Sequence, residues 1–283
     1  MGKICWANTN NFDDANFVIV GVPDESQSHA LRQGTEEAPD RIREISCKRD
    51  SYNRGGKISL GLPFSDSTHK KVYDYGNIDR IQISKVYDQI SSTSKIPITM
   101  GGDHSITTQI VKTISNSIGK FSLVYFDAHP DFISSMTNYY GSVFNDVLSH
   151  IDIDSSIQIG IRTPEKEEFD NIRKHNLSVI TPTEIAEKGL GEISELILNT
   201  IGEKVYISFD MDCVDPSYAP GVSVPVPMGL NTVDAVYLLK KITKHGIVGM
   251  DIMEVCPSFD VKDRTSHLAA RLISEVIFAA DLK

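Results

Sequence analysis

The chain has 283 residues, a net charge of −10, and 40% hydrophobic against 23% charged residues. That length fits one large α/β domain or two small ones, and that composition excludes a disordered or fibrous chain. The acidic balance excludes nucleic acid as an expected partner and favours approach of a cationic small molecule.

Short apolar runs alternate with helix-like segments. Strands are predicted at Phe17–Val22, Lys57–Leu60, Lys71–Tyr75, Ile96–Met100, Phe121–Phe126, Ser156–Ile161, Ser178–Ile180, Lys204–Phe209 and Ile247–Val255. Several are near-continuous Val/Ile/Leu/Phe runs, as parallel strands buried on both faces require. Helices are predicted at Ala38–Ser46, Asp79–Ser92, Ser105–Ser117, Pro164–His175, Pro182–Glu187, Glu192–Thr200, Thr232–His245 and Thr265–Asp281. The last carries Leu268, Leu272, Ile273, Val276 and Ile277 at helical spacing, a core-packing stripe. Such alternation predicts one doubly wound α/β domain over residues 1–283: three α/β/α layers, a mostly parallel sheet and helices on both faces. No linker or repeat divides it, and Asp215–Leu230 reads as a loop beside the site.

Four cysteines, Cys5, Cys47, Cys213 and Cys256, form no C-x-x-C pair. A reducing, cytoplasmic setting is expected, with Cys213 a small buried apolar residue. No apolar run approaches the ~20 residues that span a membrane. The first ten residues lack a signal-peptide core.

Three apolar runs end in acid or histidine. After Phe121–Phe126 comes Asp127-Ala128-His129-Pro130-Asp131, and after Val205-Tyr206-Ile207 comes Ser208-Phe209-Asp210-Met211-Asp212. After Ile96–Met100 comes Gly101-Gly102-Asp103-His104-Ser105. A strand repeats its side-chain direction every two residues, so Asp127, His129 and Asp131 converge if extended geometry persists. In open α/β sheets ligands gather at the carboxyl ends of the strands, where all three stretches fall. A single Asp-x-Asp after a strand is ordinarily a turn or helix cap, and a lone His104 a satisfied core histidine. Together they offer two histidines and four carboxylates, enough for two divalent ions with shared carboxylates. Such ions sit about 3.5–4 Å apart and activate a water. Oxygen and imidazole donors suit a hard-to-borderline ion such as Mn²⁺.

These motifs resemble the ureohydrolase family of arginases and agmatinases. The resemblance extends through Cys213-Val214-Asp215-Pro216-Ser217-Tyr218-Ala219-Pro220-Gly221 and Met250-Asp251-Ile252-Met253-Glu254-Val255-Cys256-Pro257. Upstream, Gly21-Val22-Pro23 and Gly34-Thr35-Glu36-Glu37-Ala38-Pro39 extend it further. The resemblance implies an arginase-like fold and two Mn²⁺ per subunit. His104, Asp127, Asp131 and Asp210 would hold one ion; His129, Asp127, Asp210 and Asp212 would hold the other. Asp131 would also orient the activated water and relay its proton, Glu254 would grip the substrate guanidinium, and Asp251 would be structural. A homotrimer or homohexamer is implied.

The chain departs from the family pattern twice. The family usually has a proton-shuttling histidine some ten residues after the Asp127–Asp131 motif; here the segment reads Asn138-Tyr139-Tyr140-Gly141-Ser142 and Tyr140 takes the place. A phenol, with a reference pKa of about 10, is a poor shuttle at neutral pH. His150, on an expected helix end, reads as structural. The second departure is Gly221-Val222-Ser223-Val224-Pro225 where Gly-Thr-Gly-Thr-Pro is common, removing hydroxyls near the substrate.

The loop Phe132–Tyr139 does not reproduce the arginase pattern, and Ser208–Pro220 with Asp251–Pro257 is more similar to agmatinases. The expected reaction is therefore agmatine plus water giving putrescine and urea. The competing expectations are an arginase, a guanidinobutyrase or other guanidino-acid hydrolase, a formiminoglutamase, or a non-catalytic metal-binding subunit.

Overall fold

A computed structural model describes residues 2–48, 52–54, 57–61 and 69–281. The expected domain limits, Met1 and Lys283, lie outside the described residues. In chain order the strands are β1 (Phe17–Val22), β2 (Asn53–Arg54), β3 (Lys57–Ile58), β4 (Val72–Asn77), β5 (Ile96–Gly101), β6 (Ser122–Phe126), β7 (Ile157–Ile159), β8 (Ser178–Ile180), β9 (Val205–Asp210) and β10 (Gly249–Met253). The α-helices are α1 (Ala38–Ser46), α2 (Ile83–Ser91), α3 (Ile106–Ile118), α4 (Val143–Val147), α5 (Lys166–Lys174), α6 (Pro182–Thr200), α7 (Thr232–His245) and α8 (Arg264–Ala279).

Eight strands form one sheet in the order β4-β1-β5-β10-β9-β6-β7-β8. Every pairing in it is parallel. β1, β6, β9 and β10 are buried along their whole length, because helices cover both faces. Alternation along β1 shows how: Phe17 and Ile19 join the core shared with α1, α6, α7 and α8, while Val18 and Val20 join the core shared with α2, α3 and α4. The expected three-layer arrangement is the observed one.

One strand expectation fails. Lys57–Leu60 contributes no strand to the main sheet; only Lys57–Ile58 pairs, antiparallel with Asn53–Arg54, and Lys57 and Ile58 are exposed. A run this short has too few apolar side chains to earn a place between helical layers. The break expected between two helices near position 189 is present: Gly189 interrupts α6 with φ 79°, ψ 158°. Among the described residues no helix is long and apolar enough to cross a membrane.

Two charged groups fasten the outer elements. Arg43 on α1 grips Asp74 on β4 through two of its nitrogens, at 2.9 and 3.0 Å, and both side chains are buried. Lys70 donates to the carbonyls of Ile277, Phe278 and Ala280, at 2.8, 3.0 and 2.5 Å. It thereby satisfies carbonyls that α8 leaves open at its C-terminus.

Candidate metal centre

The sheet order brings β5, β10, β9 and β6 side by side. Neighbouring strands run about 4.8 Å apart, so residues just past their carboxyl ends meet across a short edge. His104 follows β5, Glu254 follows β10, Asp210 ends β9 with Asp212 in the turn after it, and Asp127, His129 and Asp131 follow β6. Gly102 allows the first turn to sit tightly, since a Cβ there would lie 1.9 Å from the Asp24 carbonyl oxygen. Asp103 N–H donates to that same carbonyl at 3.0 Å.

Two groups of possible ligand atoms result: His104, Asp127 and Asp210, and Asp127, His129 and Asp212. They share Asp127. In the first, His104 Nδ1 lies 3.1 Å from Asp127 Oδ2, 3.1 Å from Asp210 Oδ2 and 3.4 Å from Asp131 Oδ2. In the second, His129 Nδ1 lies 3.0 Å from Asp212 Oδ2 and 3.4 Å from Asp127 Oδ1. Asp131, expected as a sixth ligand, belongs to neither group; its Oδ2 accepts the Tyr125 phenol at 2.6 Å. Its backbone φ is 47°, in the left-handed region, and its carbonyl accepts Phe144 N–H at 2.9 Å.

The donor set fits a pair of cations. One imidazole nitrogen holds at most one proton, so it cannot satisfy three carboxylates at once. Asp127 Oδ2 is buried and has no hydrogen-bond partner, a costly state unless a cation completes it. Electrostatics agree. Burial, then repulsion from Asp212 and Asp127, drives Asp210 well above the carboxylate range. Burial would lower His104, but the carboxylates of Asp127, Asp131 and Asp210 override it and raise it well above its ordinary value. Burial and the Asp127 charge lift Asp131 to about 6.

A second layer of polar groups orients these side chains. The His104 ring stacks on Tyr125, centroids 4.7 Å apart. Its Nε2 meets Ser208 Oγ at 2.8 Å. Asp251 is fully buried and accepts from Thr107 Oγ1, Tyr206 Oη and Ser208 Oγ at 2.9, 2.8 and 2.8 Å. That is the structural role expected of it. Gln158 Nε2 holds the Pro130 carbonyl at 2.7 Å, bracing the turn between His129 and Asp131.

Glu254 sits beside this cluster, 2% exposed, with φ 63°. Its Oε1 accepts His104 N–H at 2.8 Å and its Oε2 accepts the Ser223 hydroxyl. Burial, then the Asp103 charge, raises its carboxyl to about 8. Tyr140 faces the same carboxylates: burial, then Glu254 and Asp131, raises its phenol. Its ring lies edge-on to Tyr139 at 5.8 Å and to His29 at 6.1 Å, and His29 stacks on Tyr139 at 5.2 Å. The loop bearing His29 is tied down where Gln27 N–H donates to Asp103 Oδ2 at 3.0 Å and Tyr140 N–H donates to the Gln27 carbonyl at 3.3 Å. His150 bonds Ser115 Oγ at 2.7 Å on the outer helices, as a structural residue would.

Sequence reasoning did not single out Tyr125, Ser208 or His29, and marked Ser223 only as part of a departure from the family pattern. The first two carried a signal: each is a polar residue two positions before a ligand candidate, hence on the same side of its strand.

A parallel α/β sheet with two acid–histidine groups at its carboxyl edge is an arrangement that fits a pair of metal ions. The sequence pattern of the Arginase family matches residues 15–279, and the chain belongs to that family. An agmatinase of Photorhabdus laumondii subsp. laumondii is 30% identical over 282 residues, covering 94% of this chain and 87% of the relative. The structure of agmatine ureohydrolase of Thermoplasma volcanium aligns with a TM-score of 0.84 at 31% identity, over 99% of this chain and 94% of that one. Proclavaminate amidino hydrolase from Streptomyces clavuligerus aligns with a TM-score of 0.86 at 26% identity, over 99% and 96%.

Proposed function

We propose that this protein is a dinuclear-manganese hydrolase of a guanidino compound, converting agmatine and water to putrescine and urea. One observation carries the reading: two acid–histidine groups share Asp127, whose buried Oδ2 lacks a hydrogen-bond partner. The agmatinase names of the relatives support the substrate. So does the aromatic cluster of His29, Tyr139 and Tyr140, whose Tyr140 lies within electrostatic reach of Glu254 and Asp131.

His104, Asp127, Asp131 and Asp210 would hold one ion, and His129, Asp127, Asp210 and Asp212 the other. When bound, such a pair lowers the pKa of a water toward neutrality and supplies the nucleophile. The chain's own side chains do the rest. Glu254 accepts hydrogen bonds from the guanidinium and fixes its carbon over the carboxylate edge. Asp131, held by Tyr125, takes the proton from the attacking water and passes it toward the leaving amine. Tyr140 stands in the shuttle position with a raised phenol, which favours operation above neutral pH. One domain over residues 1–283, a homotrimer or homohexamer, and a cytoplasmic setting complete the proposal.

The test is urea release by purified, Mn²⁺-loaded protein from pH 7 to 10, with agmatine, arginine and guanidinobutyrate side by side. Agmatine turnover is expected. Preference for arginine or guanidinobutyrate would replace the substrate. Absence of urea from all three with two Mn²⁺ bound would sink the agmatinase assignment and leave an untested substrate or a non-catalytic metal-binding subunit.

A further inference from the structure

The segment Gly221-Val222-Ser223-Val224-Pro225 has a side chain at 223 where a glycine is common in the family, and lacks both threonine hydroxyls. The one hydroxyl it carries is not spent on solvent or on its own backbone. Ser223 Oγ donates to Glu254 Oε2, and both residues are buried, at 5% and 2% exposure. Among the described residues Ser223 is the only side chain that donates to Glu254. The two segments are laced together around this contact: Cys256 N–H donates to the Gly221 carbonyl at 2.7 Å, and Val222 bridges to Val255. Glu254 N–H in turn donates to the Gly102 carbonyl at 3.0 Å.

The terminal torsion of a glutamate is broad and roughly two-fold, so a carboxylate bonded at one oxygen still swings. Here each oxygen has its own donor, His104 N–H on Oε1 and Ser223 O–H on Oε2. Two donors from separate loops fix the carboxylate plane, and each oxygen keeps a second lone pair for a cation. We propose that Ser223 is a positioning residue for substrate recognition: its hydroxyl locks the Glu254 carboxylate in the orientation that receives the guanidinium. The inference rests on the reading of Glu254 as the guanidinium anchor. The role is to hold, not to react, so losing it weakens binding more than turnover.

The experiment compares wild-type, Ser223→Gly, Ser223→Ala and Ser223→Thr holoenzymes, loaded with Mn²⁺ and assayed for metal content. It measures KM and kcat for the guanidino compound that wild type hydrolyses, and calorimetric affinity for guanidinium ion. Ser223→Gly and Ser223→Ala are expected to keep their metal and to raise KM on the order of tenfold to a hundredfold, the scale of one lost charge-assisted hydrogen bond. kcat should fall far less, guanidinium affinity should drop in parallel with KM, and Ser223→Thr should restore both. Wild-type KM in Ser223→Gly and Ser223→Ala would overturn the inference. So would a joint fall of KM-normalised rate, kcat and metal content that Ser223→Thr does not rescue, which marks a merely structural residue. If wild type itself neither turns over a guanidino compound nor binds guanidinium, the reading of the site fails instead. If it binds without turnover, the guanidinium affinities alone decide the role of Ser223.

Discussion

Ser208 Oγ stands 2.8 Å from both His104 Nε2 and Asp251 Oδ1. A hydroxyl has one proton. An ionised Asp251 only accepts, so that proton goes to Asp251 and Ser208 must accept from His104 Nε2–H. The tautomer this sets leaves the Nδ1 lone pair facing Asp127 and Asp210, where a cation needs it.

Asp251→Asn should therefore weaken metal binding without touching a ligand. The amide can donate to Ser208, which then turns its own proton on Nε2 and forces the wrong tautomer. A loss of about ten- to a hundredfold in Mn²⁺ affinity is expected, the usual effect of removing a partner of a ligating histidine. Titration of the apo-protein with Mn²⁺ measures it; equal affinities would remove Asp251 from the metal site.

Tyr140 makes a sharper kinetic prediction. General acid–base groups work best with a pKa near the working pH, and the Tyr140 phenol is raised further from its ordinary value by burial and by Glu254. Tyr140→His should raise kcat near pH 7 by about tenfold or more and move the optimum toward neutrality. A pH profile of kcat for both proteins checks this. Coincident profiles would show that the proton leaves by another route.

Glu168 links stability to pH. Its carboxylate accepts Glu165 N–H at 2.8 Å, capping α5, and Phe132 N–H at 3.2 Å beside Asp131. Burial raises its pKa from 4.5 to about 7. A folded pKa above the unfolded one stabilises below pH 4.5, and that contribution is lost as pH rises through about 7. The loss is on the order of 3 kcal/mol at most. Glu168→Gln should flatten the fall in melting temperature between pH 5 and 8, measured by thermal denaturation; an unchanged slope would assign the fall to other groups.

The Arg43–Asp74 pair is a stability element far from the chemistry. Asp74 also accepts Ile4 N–H at 2.7 Å, so it joins the N-terminal segment, α1 and β4. Asp74→Ala strands a buried guanidinium and should cost about 3–5 kcal/mol. Urea unfolding reads the cost, and a change below about 1 kcal/mol would mean that water reaches Arg43.

Much of this site is legible in the sequence because its ligands lie two residues apart at the ends of apolar runs. Asp127 and His129, or Asp210 and Asp212, need no long-range information to be paired. Their supports do need it. Tyr125 and Ser208 sit inside runs that read as plain buried strand, and only the neighbouring strand reveals what their hydroxyls reach. Glu254 could be singled out, but not that its oxygens meet His104 N–H and Ser223 from two other loops. His29 lies in an upstream loop with no motif of its own, and its contact with Tyr139 and Tyr140 is purely tertiary. Lys57–Leu60 reads as a sheet strand, yet only Lys57–Ile58 pairs, outside the main sheet, because composition reports propensity and not which layer has room.

The place of β10 has a consequence for how the molecule is made. It comes last in sequence among the described strands, yet it lies mid-sheet, paired with β5 on one side and β9 on the other. Without it the described strands of the sheet fall into two groups, β4-β1-β5 and β9-β6-β7-β8, that do not pair with each other. His104 follows a strand of the first group; Asp127, His129, Asp210 and Asp212 belong to the second. The two groups close into one sheet only through residues 249–253, and Glu254 stands immediately behind them. Without β10 in place the chain carries only separated fragments of the centre, so the cradle exists only once this strand has joined the two groups.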